Sequence, residues 1–273
     1  MKTPRGPSGF EEYYVSLFGE RWPALRQALL GEANSFVLET GLETPYYLDR
    51  ASVIAAYMLR VTKGAEVVDL CAAPGGKTLI LALALDGTGT LLANERSSAR
   101  RARLHRVLKT HLCDGLRAPV TVTGHDAAKW GVYSPSSADK VLADVPCSSE
   151  RHVVASPAAL GEWSASRTRR LAQQAYAIAC AGADALRPGG EMVYSTCALS
   201  PLENDEVVGK LAQRRGDRIE IVDPTRRLST LPMSLVAPNG TVAGSPTMHG
   251  WAFLPDSDDG MGPMYLALVR KRR

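Results

Sequence analysis

No stretch of this sequence approaches the roughly 20 consecutive apolar residues that a membrane-spanning helix needs, so no membrane anchorage of that kind is expected. The opening MKTPRGPSGFEEYY lacks the apolar core of a secretory signal, and Glu11 and Glu12 argue against an organelle transit peptide. Cysteine is scarce: there are five, an odd number, irregularly spaced and without a CxxC pair. That excludes a disulfide framework and fits free thiols in a reducing compartment, expected to be the cytoplasm, or the mitochondrion in a eukaryotic source. The histidines at 105, 111, 125, 152 and 249 show no metal-ligand spacing, so no metal is expected. Neither GxxxxGK[ST] nor GxGxxG occurs, which argues against a phosphate loop and against a dinucleotide-dependent oxidoreductase. Internal repeats and low-complexity segments are also missing.

What is present is an ordinary globular composition with an uneven charge. The net charge of +4 is mild, but residues 96 to 109 and the closing RKRR are strongly basic, which permits a polyanionic partner. Residues 10 to 60 read as helical, through FEEYYVSLFG, RWPALRQALL and DRASVIAAYMLR, the last with Asp49 as its N-cap. Beyond residue 60 the period changes. Strand-like runs EVVDL, TLLAN, PVTVT, KVLAD, GEMVYST, RIEIV and MYLALVR alternate with helical segments. A loop-like stretch spans 223 to 262. Such alternation predicts an α/β fold with a seven-stranded, mostly parallel, Rossmann-like sheet and helices on both faces. The expected division is a helical N-terminal extension, 1–60, and a catalytic domain, 61–273.

Ligands in such sheets sit at the carboxyl ends of the strands. Three features fall there. In VVDLCAAPGGKT a strand runs into Gly75-Gly76 and a helix start, where backbone can approach a ligand and unpaired N–H groups point outward. Glu95 ends the next strand and can accept ribose hydroxyls; Asp126 follows the one after and can meet an adenine amine. Together they describe a pocket for an adenosine with a carboxylate-bearing tail, and S-adenosyl-L-methionine fits it. Two thiols also end strand-like runs, Cys147 in KVLADVPCSS and Cys197 in GEMVYSTC. Cys113 and Cys180 belong to no motif.

CAAPGGKT, DVPCSS and YSTCALSPLENDEVV together resemble the Sun/Nop-type (NSUN) RNA cytosine-5 methyltransferases. DVPCSSERH, GPMYLALVRKRR and FGERWPALRQALL look most like the mitochondrial branch that modifies small-subunit rRNA. The resemblance implies an S-adenosyl-L-methionine-dependent methyltransferase whose cofactor contacts are Cys71, Ala72, Ala73, Pro74, Gly75, Gly76, Lys77, Glu95, Arg100, Asp126 and Asp144. Many members have Asp where this chain has Glu95. The implied catalytic set is Cys197 as nucleophile, Cys147 assisting product release, Asp144 between cofactor and base, and Lys77, which also helps hold the methionine part of the cofactor.

The chemistry explains two thiols. Carbon 5 of cytosine is a weak nucleophile; adding a thiolate to carbon 6 makes an enamine that can attack an electrophilic methyl. Asp144 is expected to face the nitrogen 3 edge, donating a proton there. A second group must then help remove the surplus carbon 5 proton. The expected partner is RNA, rRNA first and tRNA as the alternative, with an assisting protein for targeting and a monomeric chain. A scaffolding assembly factor is the competing class. Arg167, Arg169, Arg170 and the basic tail are candidates for phosphate contact. Arg151 and His152 are candidates for substrate contact, and Trp163 for base stacking.

Overall fold

The computed structural model describes residues 4–232, 235 and 243–273. The chain begins with helices α1 (Gly6–Phe18) and α2 (Trp22–Leu30), then the hairpin strands β1 (Ser35–Leu38) and β2 (Tyr46–Asp49), and α3 (Arg50–Tyr57). The alternating part follows as β3 (Glu66–Asp69), α4 (Gly76–Leu85), β4 (Thr90–Asn94), α5 (Ser98–His111), α6 (Asp114–Arg117), β5 (Val120–Thr123), α7 (Trp130–Tyr133) and β6 (Ala138–Asp144). After it come α8 (Glu150–Ala155), α9 (Pro157–Gly161), α10 (Ala165–Ala185), β7 (Leu186–Thr196), α11 (Asp205–Arg215), β8 (Ile219–Val222) and α12 (Thr225–Leu228). The last elements are β9 (Ser245–Pro246), β10 (Trp251–Phe253) and β11 (Met264–Lys271).

All seven expected strands are in one sheet, which β9 and β10 extend to nine. The order β5-β4-β3-β6-β7 is parallel throughout. Strand β11 runs antiparallel to β7, and its outer edge is shared by β10 near its start and β8 near its end. From β3 the chain first moves outward to β4 and β5, then returns to place β6 on the other side of β3. The crevice at the carboxyl ends of β3 and β6 is therefore the switch point where this architecture takes ligands.

The strands alternate faces with a period of two. Val67, Leu91, Ala93, Leu142, Val193 and Leu268 pack with α3, α4 and α5. Val68, Val141, Ala143, Met192, Tyr194 and Val269 pack with α10 and α11. The sheet is thus covered on both faces, which explains why its strands read as unbroken apolar runs. Asp49 caps α3 as expected, accepting from the Ala51 N–H at 2.8 Å.

The reading of 10–60 as wholly helical needs correction, because 35–38 and 46–49 pair as an antiparallel hairpin. Tyr46, Tyr47 and Leu48 favour a strand, and with Asp49 already committed as a cap the helical pattern does not extend backward through them. The 223–262 stretch contains α12, β9 and β10; residues 233–234 and 236–242 lie outside the described residues. Helices α1 and α2 make a separate aromatic cluster in which Phe10, Tyr14 and Trp22 pack against Val153 and Trp163. They brace the segment after β6 rather than the sheet.

The basic tail also differs from expectation. Arg270 pairs across strands with Glu191, near the start of β7, and so lies at the opposite end of the sheet from Thr196. There Arg270, Arg227 and Lys140 converge on the Glu191 carboxylate, with Lys140 Nζ at 2.5 Å. Burial favours the neutral acid, but the bonds from Lys140 and Arg227 outweigh it and hold Glu191 down to about 2. This carboxylate stabilises the fold above its unfolded value near 4.5, and that contribution fades as pH falls toward 2. In Glu191→Gln, urea unfolding should show a clear loss of stability at neutral pH that shrinks steadily as the pH is lowered below about 4.5. A loss independent of pH would contradict the charge-pairing account.

Candidate active site

Three strand ends build the site. Strand β3 ends in Asp69, wholly buried, whose Oδ2 accepts the Thr78 hydroxyl at 2.8 Å while Oδ1 has no hydrogen-bond partner among the described residues. Burial pushes this carboxyl up to about 7, with the Thr78 bond opposing and the Asp144 charge adding to the rise. The chain then turns through Cys71, Ala72, Ala73 and Pro74 into α4. Gly75 has φ +124°, open to glycine alone, and a Cβ there would press to 2.9 Å from Val107. A Cβ on Gly76 would stand 2.7 Å from the Tyr46 ring. The glycines are thus required by packing against α5 and β2, which the ligand-approach reading did not include.

Strand β4 ends in Asn94, buried and fully used. Its amide donates to Leu70 O and His125 O, and its oxygen accepts from Thr123 and the His125 N–H, so it ties three strand ends together. Glu95 follows, largely buried, accepting from Ser97 N at 2.8 Å and facing Arg100 at 3.4 Å. Arg100 also donates to Ala73 O at 2.7 Å, binding the glycine turn to the β4 end. Asp126 accepts from Ala128 N and sits 3.6 Å from Arg96.

Two adjoining clefts share Cys71 as a common wall. One is lined by Ala72, Ala73, Pro74, Gly76, Lys77 and Asp144. The other is lined by Glu95, Arg100, Asp126, Pro146 and Ile178. Every residue expected to contact the cofactor lines one or the other, except Gly75. A larger apolar cavity of about 640 Å³, between β1, α3 and α4, shares no residue with them and holds no acid–base set.

Asp144 ends β6, in register with Ser195 of β7. Lys77 Nζ donates to its Oδ2 at 2.9 Å and the Ser195 hydroxyl to its Oδ1 at 2.8 Å. Both carboxylate oxygens are engaged, and the Lys77 ammonium is the charged donor beside the Asp144 position read from sequence. Burial disfavours the Lys77 charge, but the pull of Asp144 outweighs it and the net shift is upward.

Three residues beyond Asp144 and one beyond Thr196, the thiols meet: Cys147 Sγ lies 3.0 Å from Cys197 Sγ. Ser149, held in a left-handed conformation at φ +54°, places its hydroxyl 3.1 Å from Cys197. The two thiols are driven apart in acidity. The hydrogen bond with Cys147 lowers Cys197 against the opposing effect of burial, and Ser149 adds to it. The same bond, together with burial, pushes Cys147 well up. The contact thus favours the ionised form at Cys197 and the protonated form at Cys147. The other thiol at a strand end, Cys71, is raised by burial and by the carboxylates around it.

Other expected contacts fall elsewhere. Arg151 donates to the carbonyls of Gly31, Gly260 and Gly262, stitching α8 to distant loops, and is spent on structure. Trp163 is 2% exposed within the aromatic cluster, so it offers no face for a base. His152, Arg167, Arg169 and Arg170 are exposed. Glu150, Glu203, Asn204 and Ser149 were missed as site residues; all lie inside the quoted DVPCSSERH and YSTCALSPLENDEVV motifs, which is the signal that held them.

Replacing Cys147 with Ala removes the donor that lowers the Cys197 thiol. Iodoacetamide alkylation of Cys197, followed by peptide mass spectrometry across pH, should show its midpoint moving upward in Cys147→Ala. An unchanged midpoint would mean that the contact does not tune this thiol.

The description "16S rRNA methyltransferase RsmB/F" is that of a family model matching residues 56–250. The chain is 40% identical over 177 residues to the 5-cytosine rRNA methyltransferase NSUN4 of Xenopus tropicalis, a match covering 63% of this chain and 43% of that protein. It therefore spans less than half of that relative. To the mitochondrial tRNA (cytosine(34)-C(5))-methyltransferase of Mus musculus it is 31% identical, over 94% of this chain and 70% of that protein. The solved structure of NSun6 from Pyrococcus horikoshii with SFG superposes with a TM-score of 0.67 at 25% identity, covering 84% of this chain and 53% of that one. With a family model spanning most of its length and a relative matched nearly end to end, the chain belongs to the RsmB/F family of RNA methyltransferases.

Proposed function

We propose that this protein is an S-adenosyl-L-methionine-dependent RNA cytosine-5 methyltransferase whose nucleophile is Cys197. The observation that carries the reading is the 3.0 Å thiol pair on the loops that follow β6 and β7, together with the Lys77–Asp144 ion pair that lines a cleft walled by Cys71.

The residues present fit the cofactor. Glu95 and Asp126 line one cleft as acceptors for a ribose and an adenine amine, with Pro146 and Ile178 as apolar walls. The turn from Cys71 to Lys77 and the start of α4 suit the amino-acid end, since unpaired N–H groups there favour a carboxylate. When bound, the cofactor supplies an electrophilic methyl group. The chain supplies everything else.

Cys197 is largely desolvated, yet its hydrogen bonds favour the thiolate, which adds to carbon 6 of the cytosine. Charge then builds on the pyrimidine ring. Lys77 and Asp144 form a paired donor and acceptor suited to its nitrogen 3 and amine edge. Once carbon 5 carries its new methyl, its surplus proton must leave before the carbon–sulfur bond breaks. At that stage Cys197 is a thioether and no longer a thiolate. The strongest influence holding the proton on Cys147 is then gone, so Cys147 becomes easier to ionise where a base is needed. Exposed Arg167, Arg169 and Arg170 at the start of α10 offer phosphate contacts that offset the cost of unstacking the base, a few kcal/mol.

Small-subunit rRNA is the substrate favoured by the 40% match. A tRNA is the second reading, favoured by the longer match. Purified protein with S-adenosyl-L-methionine should form 5-methylcytosine in one of these RNAs, read by bisulfite sequencing. Cys197→Ala should abolish transfer while cofactor binding persists, and Cys147→Ala should accumulate a protein–RNA adduct that survives a denaturing gel. Transfer by Cys197→Ala at near wild-type rate would refute the assignment.

A further inference from the structure

The two thiol loops are joined by a clasp that the chemistry above does not use. Glu150, after Cys147, accepts the backbone N–H of Leu199, after Cys197, at 3.0 Å. Glu203 reaches the other way and accepts the backbone N–H of Ser148 at 2.9 Å. Each loop thus lends a carboxyl to the backbone of the other. Both side chains are wholly buried, and among the described residues neither pairs with a lysine or arginine. Between them stands the Ser148 hydroxyl, in hydrogen-bond contact with Glu150 Oε1 and, at 2.6 Å, with Glu203 Oε2.

A hydroxyl carries one proton and can donate to only one carboxyl. The second contact must come from a carboxylic acid that donates to the serine oxygen. Glu150 already receives the Tyr14 hydroxyl of α1 and the Leu199 N–H, so the donors that favour an anion gather on it. Among the described residues Glu203 receives the Ser148 N–H alone besides the shared hydroxyl. We propose that Glu203 carries a proton at neutral pH and passes a hydrogen bond through Ser148 to an ionised Glu150, and that this bridge is the positioning device that keeps Cys147 and Cys197 in contact. Its catalytic consequence rests on the reading of Cys197 as nucleophile.

The surroundings agree. Burial first, and then the Glu150 charge, push Glu203 up to about 8. The titratable groups facing the pair are Tyr13 and Tyr14 from α1, Tyr194 from β7, and Cys147 and Cys197, with Asp144 and Glu206 adding negative charge around Tyr194 and Tyr13. None of these supplies a positive charge that would favour two carboxylates. Above about pH 8 the bridge loses its proton and two anions confront each other across Ser148.

The proposal separates Glu203→Gln from its neighbours. A glutamine there keeps an acceptor for the Ser148 N–H and a donor for its hydroxyl, so it mimics the acid. In Glu150→Gln the single amide oxygen can serve either the Tyr14 and Ser148 side or the Leu199 N–H but not both, leaving a buried donor facing an NH2, and Glu203→Ala removes the bridge. Infrared difference spectra of wild type against Glu203→Gln at pH 7 should show a neutral carboxylic acid band lost in the variant, beyond any band from Asp69, which both proteins keep. The pH midpoint for iodoacetamide alkylation of Cys197 should match wild type in Glu203→Gln and move upward in Glu203→Ala and Glu150→Gln. Methyl transfer should follow the same split, with a loss of roughly a hundredfold in kcat when the thiols are displaced by about 1 Å. Acid-band intensity undiminished from wild type in Glu203→Gln, or Glu203→Gln and Glu203→Ala equally impaired in the alkylation profile, would overturn the proposal. The spectra and the alkylation need no RNA, so a protein inactive on RNA would sink the functional reading while leaving the bridge intact.

Discussion

The arrangement depends on the contact between two sulfurs from different strand ends. Strands β6 and β7 are parallel neighbours with Asp144 opposite Ser195, so the segments that follow leave the sheet side by side. Only that register brings residue 147 to residue 197. A one-residue slip would turn every side chain of one strand to the other face and separate the pair. The contact then separates two chemically identical thiols in acidity, which suits the proposed reaction with its distinct addition and elimination steps.

The sheet holds its charges at opposite ends. At the carboxyl ends lie the thiols, the Lys77–Asp144 pair and the acidic cleft. At the other end, Glu191 gathers Lys140, Arg227 and Arg270. Arg270 and Lys271 therefore belong to the packing of β11, while the exposed Arg167, Arg169 and Arg170 lie at the start of α10. Near the site, α1 and α2 reach through Tyr14 to Glu150 and so connect the N-terminal helices to the thiol loops.

Much of this was legible in the sequence. Seven strands were readable because both faces of the sheet are covered, giving short apolar runs between helical segments. The strand-end placement of Cys147, Cys197, Glu95 and Asp126 followed from those runs alone. The β1–β2 hairpin was not legible, since its half-exposed residues carry a mixed pattern beside strong helices. Arg151 and Trp163 were misjudged because exposure is a tertiary property: one spends its donors on distant carbonyls and the other lies under α1. Glu150 and Glu203 were not read as site residues. Their burial arises only when two loops 50 residues apart close over Ser148, which no local pattern announces.

The most direct test of the central claim is to map the bond itself. RNA carrying 5-azacytidine at the target position should trap the enzyme covalently, and peptide mass spectrometry should find the nucleoside on Cys197, with Cys147 unmodified. A nucleoside attached to Cys147 would contradict the account.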